Sequence, residues 1–335
     1  MNLQAGLYAS QLRQELTLRS RIFARGRAHV ESYGSAPVIV YEPEDGRHGN
    51  FFDTAYSAIA ANPDWMRRFD KVHAQAARSL PRPQLDPARR WRELDSSMSS
   101  DALLMNIFCA PGVADSPAVR NALGLDAEAI PIFGWKARVP LTSGRFDRTE
   151  IDMRLGSLLV EAKLTEVGFQ TRTATIVEAY RDFDIVFDRD RLPRTEIPTS
   201  RWLRASEFPE NDSQEFESIV ADPALVSSVD TVFRPPGEPG YAGYQLIRSV
   251  LAAHASDSSF CVIHDARRPD LREEWFQIMA AVESAALRMR LKVLIWQELA
   301  ALLPVALQEF LDVKYGIVAP GNTAAPILES AEIAK

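Results

Sequence analysis

The stretch Glu150-Ile151-Asp152-Met153-Arg154-Leu155-Gly156-Ser157-Leu158-Leu159-Val160-Glu161-Ala162-Lys163 limits the possible folds more than any other. It reads as two strands joined by a two-residue turn. Gly156 supplies the positive φ that the first central position of a type II′ hairpin demands. With Gly156-Ser157 as the loop, Leu155 faces Leu158 and the register is set. Met153 then opposes Val160, Asp152 opposes Glu161, Ile151 opposes Ala162 and Glu150 opposes Lys163.

Strand side chains alternate between faces. One face carries Ile151, Met153, Leu155, Leu158, Val160 and Ala162, all apolar, and belongs on a core. The other carries Glu150, Asp152, Arg154, Leu159, Glu161 and Lys163. Directly opposed residues have Cβ atoms about 5 Å apart, close enough for Asp152 and Glu161 to share one divalent cation. Two adjoining carboxylates repel unless something positive lies between them. A hard cation such as Mg²⁺ takes oxygen ligands, usually one or two carboxylates plus substrate phosphate. A water on such a cation is more acidic, and the cation and a nearby Lys offset charge on a phosphodiester transition state. The competing reading is a surface hairpin with solvated ion pairs, Glu150–Lys163 and Arg154–Glu161. Asp opposite Glu argues against it, because like charges directly across a strand pair destabilise.

Asp152 followed by Glu161-Ala162-Lys163 resembles the D…(D/E)-x-K signature of the PD-(D/E)xK nuclease superfamily, whose fold is restriction-endonuclease-like. The continuation Leu164-Thr165-Glu166 with Phe169 is similar to a bacterial family of restriction endonucleases. So are the segment from Ser99 through Asn106 and Phe108 and the segment Tyr244-Gln245-Leu246-Ile247-Arg248. The resemblance spans roughly residues 90–315. Its Pro before the Asp is absent, with Ile151 in that place. It implies that Asp152 and Glu161 hold Mg²⁺ or Mn²⁺, that the Ala162 carbonyl adds a ligand, and that Lys163 assists the attacking water or the transition state. It also implies an extra acid from a helix ahead of the sheet, for which Glu93 is the choice. Glu93 has a competing role in a salt bridge to one of its arginine neighbours. Glu150, Glu166 and Gln245 are further candidates around the site.

The chain has 335 residues, 46% hydrophobic and 25% charged, as expected of a globular protein. No apolar run approaches the ~18 residues of a membrane span, and the N-terminus lacks the pattern of a signal peptide. Cys109 and Cys261 lie far apart without metal spacing and read as reduced core residues of a cytoplasmic protein. The net charge of −7 argues weakly against nucleic-acid binding but says nothing of a local groove. No Walker loop, dinucleotide-binding turn, Gly-x-Ser-x-Gly elbow or zinc-spaced Cys/His cluster is present.

Along the chain, the spacing predicts an amphipathic helix over 8–33 and a short strand at Val38–Tyr41. Two helices broken near Asn62-Pro63 come next, and a Pro-rich boundary spans 81–87. A helix over 99–109 capped by Ser99 or Ser100 follows, then an edge-lying strand at 135–141 and the hairpin. After it we expect a helix at 172–180, a strand or loop at 181–190, and an insertion over 191–240. Beyond lie a helix at 241–254, a strand at 260–263, a helix at 270–289, a strand at 291–296 and a helix at 299–311. Strand–helix–strand order at the C-terminal end predicts a parallel extension of the hairpin's sheet.

The expected fold is therefore α/β with an α+β mixed sheet, a restriction-endonuclease-like core carrying an N-terminal helical extension. The expected division is a helical region at 1–88, a catalytic domain at 89–318 and a loose tail at 319–335. The expected function is Mg²⁺-dependent hydrolysis of DNA in restriction or defence, with DNA as partner, no membrane, and a homodimer as the economical way to cut two strands. The contrasting expectation is a catalytically inactive nuclease-fold protein that binds nucleic acid or acts as an assembly module.

Overall fold

The computed structural model describes residues 3–33, 37–73, 80–197, 203–204, 232–233 and 237–324. The elements that position the site are six helices and five strands. The helices are α1 (Leu3–Phe23), α2 (Asp53–Ala61), α3 (Ser100–Phe108), α4 (Tyr244–Ala255), α5 (Pro269–Ala281) and α6 (Val305–Tyr315). The strands are β1 (Ile132–Lys136), β2 (Glu150–Leu155), β3 (Leu158–Ala162), β4 (Ser259–His264) and β5 (Leu291–Ile295). They form one mixed sheet of order β5-β4-β3-β2-β1. β1, β2 and β3 are antiparallel neighbours, while β4 runs parallel to β3 and β5 parallel to β4. α4 lies on the crossover from β3 to β4, and α5 on that from β4 to β5, as parallel pairing requires. This is the mixed α/β sheet expected of the sequence.

The hairpin turns where Gly156 allows it. Gly156 has φ 59° while Ser157 is not among the positive-φ residues, the backbone signature of a type II′ turn. The pairs Leu155↔Leu158, Arg154↔Leu159 and Met153↔Val160 form as the register predicts. Beyond Met153 the ladder opens. Glu150 and Ile151 pair with Lys136 and Trp135 on β1, and the Lys163 N–H donates to Ile263 O on the β4 side at 2.8 Å. Asp152 and Glu161 are therefore not a ladder pair, and Glu150 does not meet Lys163. Each strand end is held by its outer neighbour, which spares the two acids direct opposition.

Burial follows the sheet's two-sided cover. Met153, Leu155, Leu158, Val160 and Ala162 join the core under α3, α6 and the helix at Trp296–Ala300. Leu159, expected on the polar face, is fully buried in the opposite core with α4 and α5. β3 is buried along its whole length because it is a central strand covered by helices on both faces. Ile151 also joins the second core rather than that of Met153. The β1–β2 pairing steps over Gly134 and Asp152, and Gly134 has φ 62°, so the chain changes course between the two side chains. Leu12 and Leu16 of α1 and Ile59 of α2 share the first core with Met153 and Val160.

Other expectations need adjusting. α1 ends ten residues before Tyr33, and His29–Glu31 forms a strand against Ile39–Tyr41. Asn62 separates the two helices and caps the second, its side chain accepting from the N–H groups of Asp64 and Trp65. Residues Thr171–Thr173 are a strand, followed by a short helix at Ala174–Val177. Phe183–Val186 is helical, with Phe183 and Val186 buried. Glu238–Ala242 is the middle strand of a small antiparallel sheet, between Thr171–Thr173 and Arg194–Ile197. The helix expected at 299–311 is split, with Pro304 capping α6 and Gly316 at φ 62° ending it. Most of the 191–240 insertion, and the tail after 324, lie outside the described residues. Cys109 and Cys261 are free and buried, and no described helix is long and apolar enough to cross a membrane.

Candidate active site

The opening between β2 and β3 is where the candidate residues gather. Asp152 Oδ2 accepts the Ala162 N–H at 2.8 Å, so the carboxylate takes the backbone bond that a continued ladder would have made. Glu161 and Lys163, two residues apart on one side of the extended chain, form an ion pair of 2.7 Å in which only 2% and 6% of the side chains stay exposed. The Lys163 main chain is fixed on both sides, its N–H by Ile263 O and its carbonyl by Trp296 Nε1 at 2.9 Å. The ammonium also stands 5.4 Å from the centre of the Phe169 ring.

Charge is unevenly distributed here. Burial works against the Lys163 ammonium, but the charges of Glu161, Glu166 and Asp152 hold its pKa above the ordinary lysine value. It is therefore a fixed cation and not a base. Burial pushes the Asp152 carboxyl well above the usual carboxylate range, and the charges of Glu161 and Asp101 push it further. The side chain is densely surrounded yet keeps some open surface. Among the described residues Asp152 has no ion-pair partner, because each nearby cation is committed to another acid.

Those commitments centre on Arg68. Its guanidinium bridges Asp101 Oδ2 at 2.5 Å and Glu150 Oε1 at 2.6 Å, with Arg68 and Asp101 nearly sealed from water. Gly134 makes room for it, since a Cβ there would stand 2.5 Å from Arg68 Nη1. Lys71 lies 3.0 Å from Glu93, and 3.5 Å from both Asp101 and Glu150. Lys136 pairs with the other Glu150 oxygen. Against the upward push of burial, Lys136 and Arg68 hold the Glu150 carboxyl at about 2. Glu150 is thus an anchor for the cations around the fork.

The acid that acts on Asp152 from the helix ahead of the sheet is Asp101, in the first turn of α3 behind its Ser99 cap. Glu93 lies one step away, through Lys71. Glu166 is held at the site's edge by the Leu164 N–H at 2.7 Å and the Ser100 hydroxyl at 2.6 Å. Glu166 lines two cavities. One, of about 740 Å³, also takes Lys163 and Gln245 into its wall. The other, of about 450 Å³, includes Glu93, Ser100 and Arg13. Arg248, by contrast, stands over the Tyr244 ring, 5.3 Å from its centre.

Among the described residues no group of three or more His, Cys, Asp or Glu is arranged to hold a metal on side chains alone. A hard divalent cation needs no such cage where one or two carboxylates, a carbonyl, water and substrate phosphate complete its shell. Asp152 and Glu161 offer that donor set, and an unpaired carboxyl beside a second acid is chemistry that a cation relieves.

No curated protein and no solved structure matches the chain. Its residues 19–316, which include the β2–β3 fork, Asp101, Glu166 and the wall of the larger cavity, match the family model described as Restriction Endonuclease associating with ARP, and the chain belongs to that restriction-endonuclease family.

Proposed function

We propose that the protein is a PD-(D/E)xK-type endonuclease that hydrolyses DNA phosphodiesters with Mg²⁺ or Mn²⁺ in restriction or defence. One observation carries the reading: Asp152, unpaired, stands within electrostatic reach of Glu161, and Glu161 is joined to a lysine on the wall of a large cavity. Membership in a restriction-endonuclease family supports it independently, and the same description makes association with an ARP partner part of the proposal.

Asp152 and Glu161, with the Ala162 carbonyl, would hold the cation, which supplies Lewis acidity and lowers the pKa of water. Asp101 strengthens the negative field that favours a cation there. Lys163 now offsets Glu161. From the cavity wall its ammonium would offset charge on a phosphate oxygen, a stabilisation worth roughly 10²–10³ in rate for comparable donors. Arg68, Lys71 and Lys136 fix Glu150 and Asp101 so that the fork keeps its shape. Gln245 lies on the cavity wall, where its amide is suited to base or sugar contacts.

The test is incubation with supercoiled plasmid and Mg²⁺, repeated with Lys163→Ala and Asp152→Ala and with an RNA substrate beside the DNA. Nicking or linearisation by the wild type should be lost in both variants. Cleavage surviving both removes the proposed site, and cleavage confined to RNA corrects the substrate.

A further inference from the structure

The cavity that Lys163 lines carries an acid to which the D…ExK pattern gives no role. Glu274, on α5, lines the same cavity of about 740 Å³. Its carboxyl is held in a slot between two loops: a Cβ on Gly168 would lie 3.2 Å from Oε2, and one on Gly243 would lie 3.5 Å from Oε1. The Phe169 N–H donates to it, and the ring of that same Phe169 lies beneath the Lys163 ammonium. Phe169 O in turn accepts the Gln245 N–H at 2.9 Å. One rigid segment thus fixes the position of Glu274 relative to Lys163 and Gln245. Glu274 is only half-buried and faces the cavity.

We propose that Glu274 is the proton donor to the leaving oxygen of the phosphodiester. This rests on the nuclease reading above. In the step, a water oxygen forms a bond to phosphorus and its proton passes to solvent. The bond from phosphorus to the leaving sugar oxygen breaks, its electron pair stays on that oxygen, and the Glu274 proton joins it. Glu274 then regains a proton from solvent. Lys163, which lines the same cavity, offsets charge on the phosphate and has no part in the transfer.

The surroundings suit the task. Burial raises the Glu274 carboxyl to about 7, and the charge of Asp270 adds to this, while the Phe169 N–H, Lys163 and Arg268 pull it down. Glu166, Glu273 and Arg194 also line the cavity that it faces. A carboxyl in this range is half protonated at neutral pH and exchanges protons readily.

The experiment uses the full chain with Mg²⁺ and an oligonucleotide duplex containing a sequence that the wild type cuts. It is run with an ordinary phosphodiester and with a bridging sulfur in place of the leaving oxygen. Glu274→Gln keeps the shape and the acceptor for Phe169 N–H but has no proton to give. It should lower kcat on the oxygen substrate by about 10²-fold, within the usual range for such groups, with KM unchanged. The sulfur substrate, whose thiolate leaves without a proton, should erase most of that deficit. The ratio of wild-type to variant rate should fall as pH rises through about 7. Equal deficits on both substrates, or none on either, overturn the proposal. A second readout needs no turnover: the infrared difference between wild type and Glu274→Gln should show the band of a protonated carboxyl that fades near neutral pH. Its absence from that difference at pH 6 overturns the proposal as well. Cleavage that persists in Lys163→Ala tells against the D…ExK site on which this step rests. Loss in Lys163→Ala beside a fully active Glu274→Gln removes Glu274 alone.

Discussion

Replacing Arg68 with Met tests whether the fork is held by charge. Met keeps much of the apolar stem and removes the guanidinium that bridges Asp101 and Glu150. Breaking a buried ion pair by removing one partner costs about 3–5 kcal/mol, because the other charge is left stranded. Two features move the figure to the low end. Lys71 remains 3.5 Å from both acids, and Glu150 keeps 28% of its side chain exposed. We expect a loss of about 3 kcal/mol at pH 7. The Glu150 part of this depends on pH. Its carboxyl is held at about 2 against an ordinary 4.5, which corresponds to roughly 3 kcal/mol at most from all its partners together. Arg68 shares that with Lys136 and Lys71, so its part is about 1 kcal/mol. A carboxyl whose pKa is lower in the folded state stabilises fully above its unfolded value and loses the contribution as pH falls through the folded one. The gap between wild type and variant should therefore narrow by about 1 kcal/mol between pH 7 and pH 2.5. Urea unfolding at the two pH values measures both quantities. Adding Asp101→Asn to Arg68→Met should recover much of the loss, because it removes a stranded charge. A loss below about 1 kcal/mol at pH 7, or a gap that widens in acid, refutes the assignment of Arg68 as the tie between α3 and β2.

Four more outcomes follow from the same structure. Asp152→Asn should stabilise the metal-free protein at neutral pH by about 0.5–2 kcal/mol: the folded carboxyl is pushed upward, so ionising it costs stability above its unfolded pKa, and the amide keeps an acceptor for the Ala162 N–H. Mg²⁺ should raise the Tm of the wild type by linkage and leave that of the variant unchanged; equal responses count against Asp152 as a ligand. Gly134→Ala should destabilise by about 1–3 kcal/mol in urea unfolding, since its Cβ would meet Arg68 at a positive φ, and an unchanged midpoint would show that the β1 edge gives way freely. Lys314, fully buried and bonded through its ammonium to Asn50, is held well below the ordinary lysine value by burial and by Arg27. Wild-type stability should thus rise with pH toward the unfolded lysine value, and Lys314→Met should flatten that rise in melts at pH 6 and pH 9.

The readable parts of the sequence were those set by local chemistry. The positive φ at Gly156, the alternation on either side of it and the Ser99 cap need only their neighbours. The parallel strands were readable because 260–263 and 291–296 are compact apolar runs separated by helical periods. What escaped depends on distant partners. Nothing near Glu150 announces Arg68, 82 positions away. Ile151 and Leu159 defy strict alternation because helices cover both faces of the sheet, so an apolar residue is at home on either. The four-residue helix at Phe183–Val186 is too short to show a period. Asp101 lay inside a segment already singled out, two positions after the cap. Choosing it over Glu93 required the helix phase and the packing of α3 against β3, neither of which is written in a single sequence.

The fork itself argues between an enzyme and an inert module. Continued pairing would have set Asp152 directly against Glu161, and the chain avoids this by giving each strand end to an outer neighbour. The acids nevertheless remain within each other's field, with Asp101 added to them. The cations at the fork are already placed: Arg68 and Lys71 on Asp101 and Glu150, Lys136 on Glu150, Lys163 on Glu161. Asp152 is left with a backbone N–H and no ion-pair partner among the described residues. A module that served only to bind or assemble would gain stability by losing that carboxylate, since ionising an acid whose pKa burial and neighbouring acids push upward costs stability. A divalent cation removes the penalty without removing the acid. The rise in Tm with Mg²⁺, present in the wild type and absent in Asp152→Asn, therefore separates the two readings even before a DNA substrate is known.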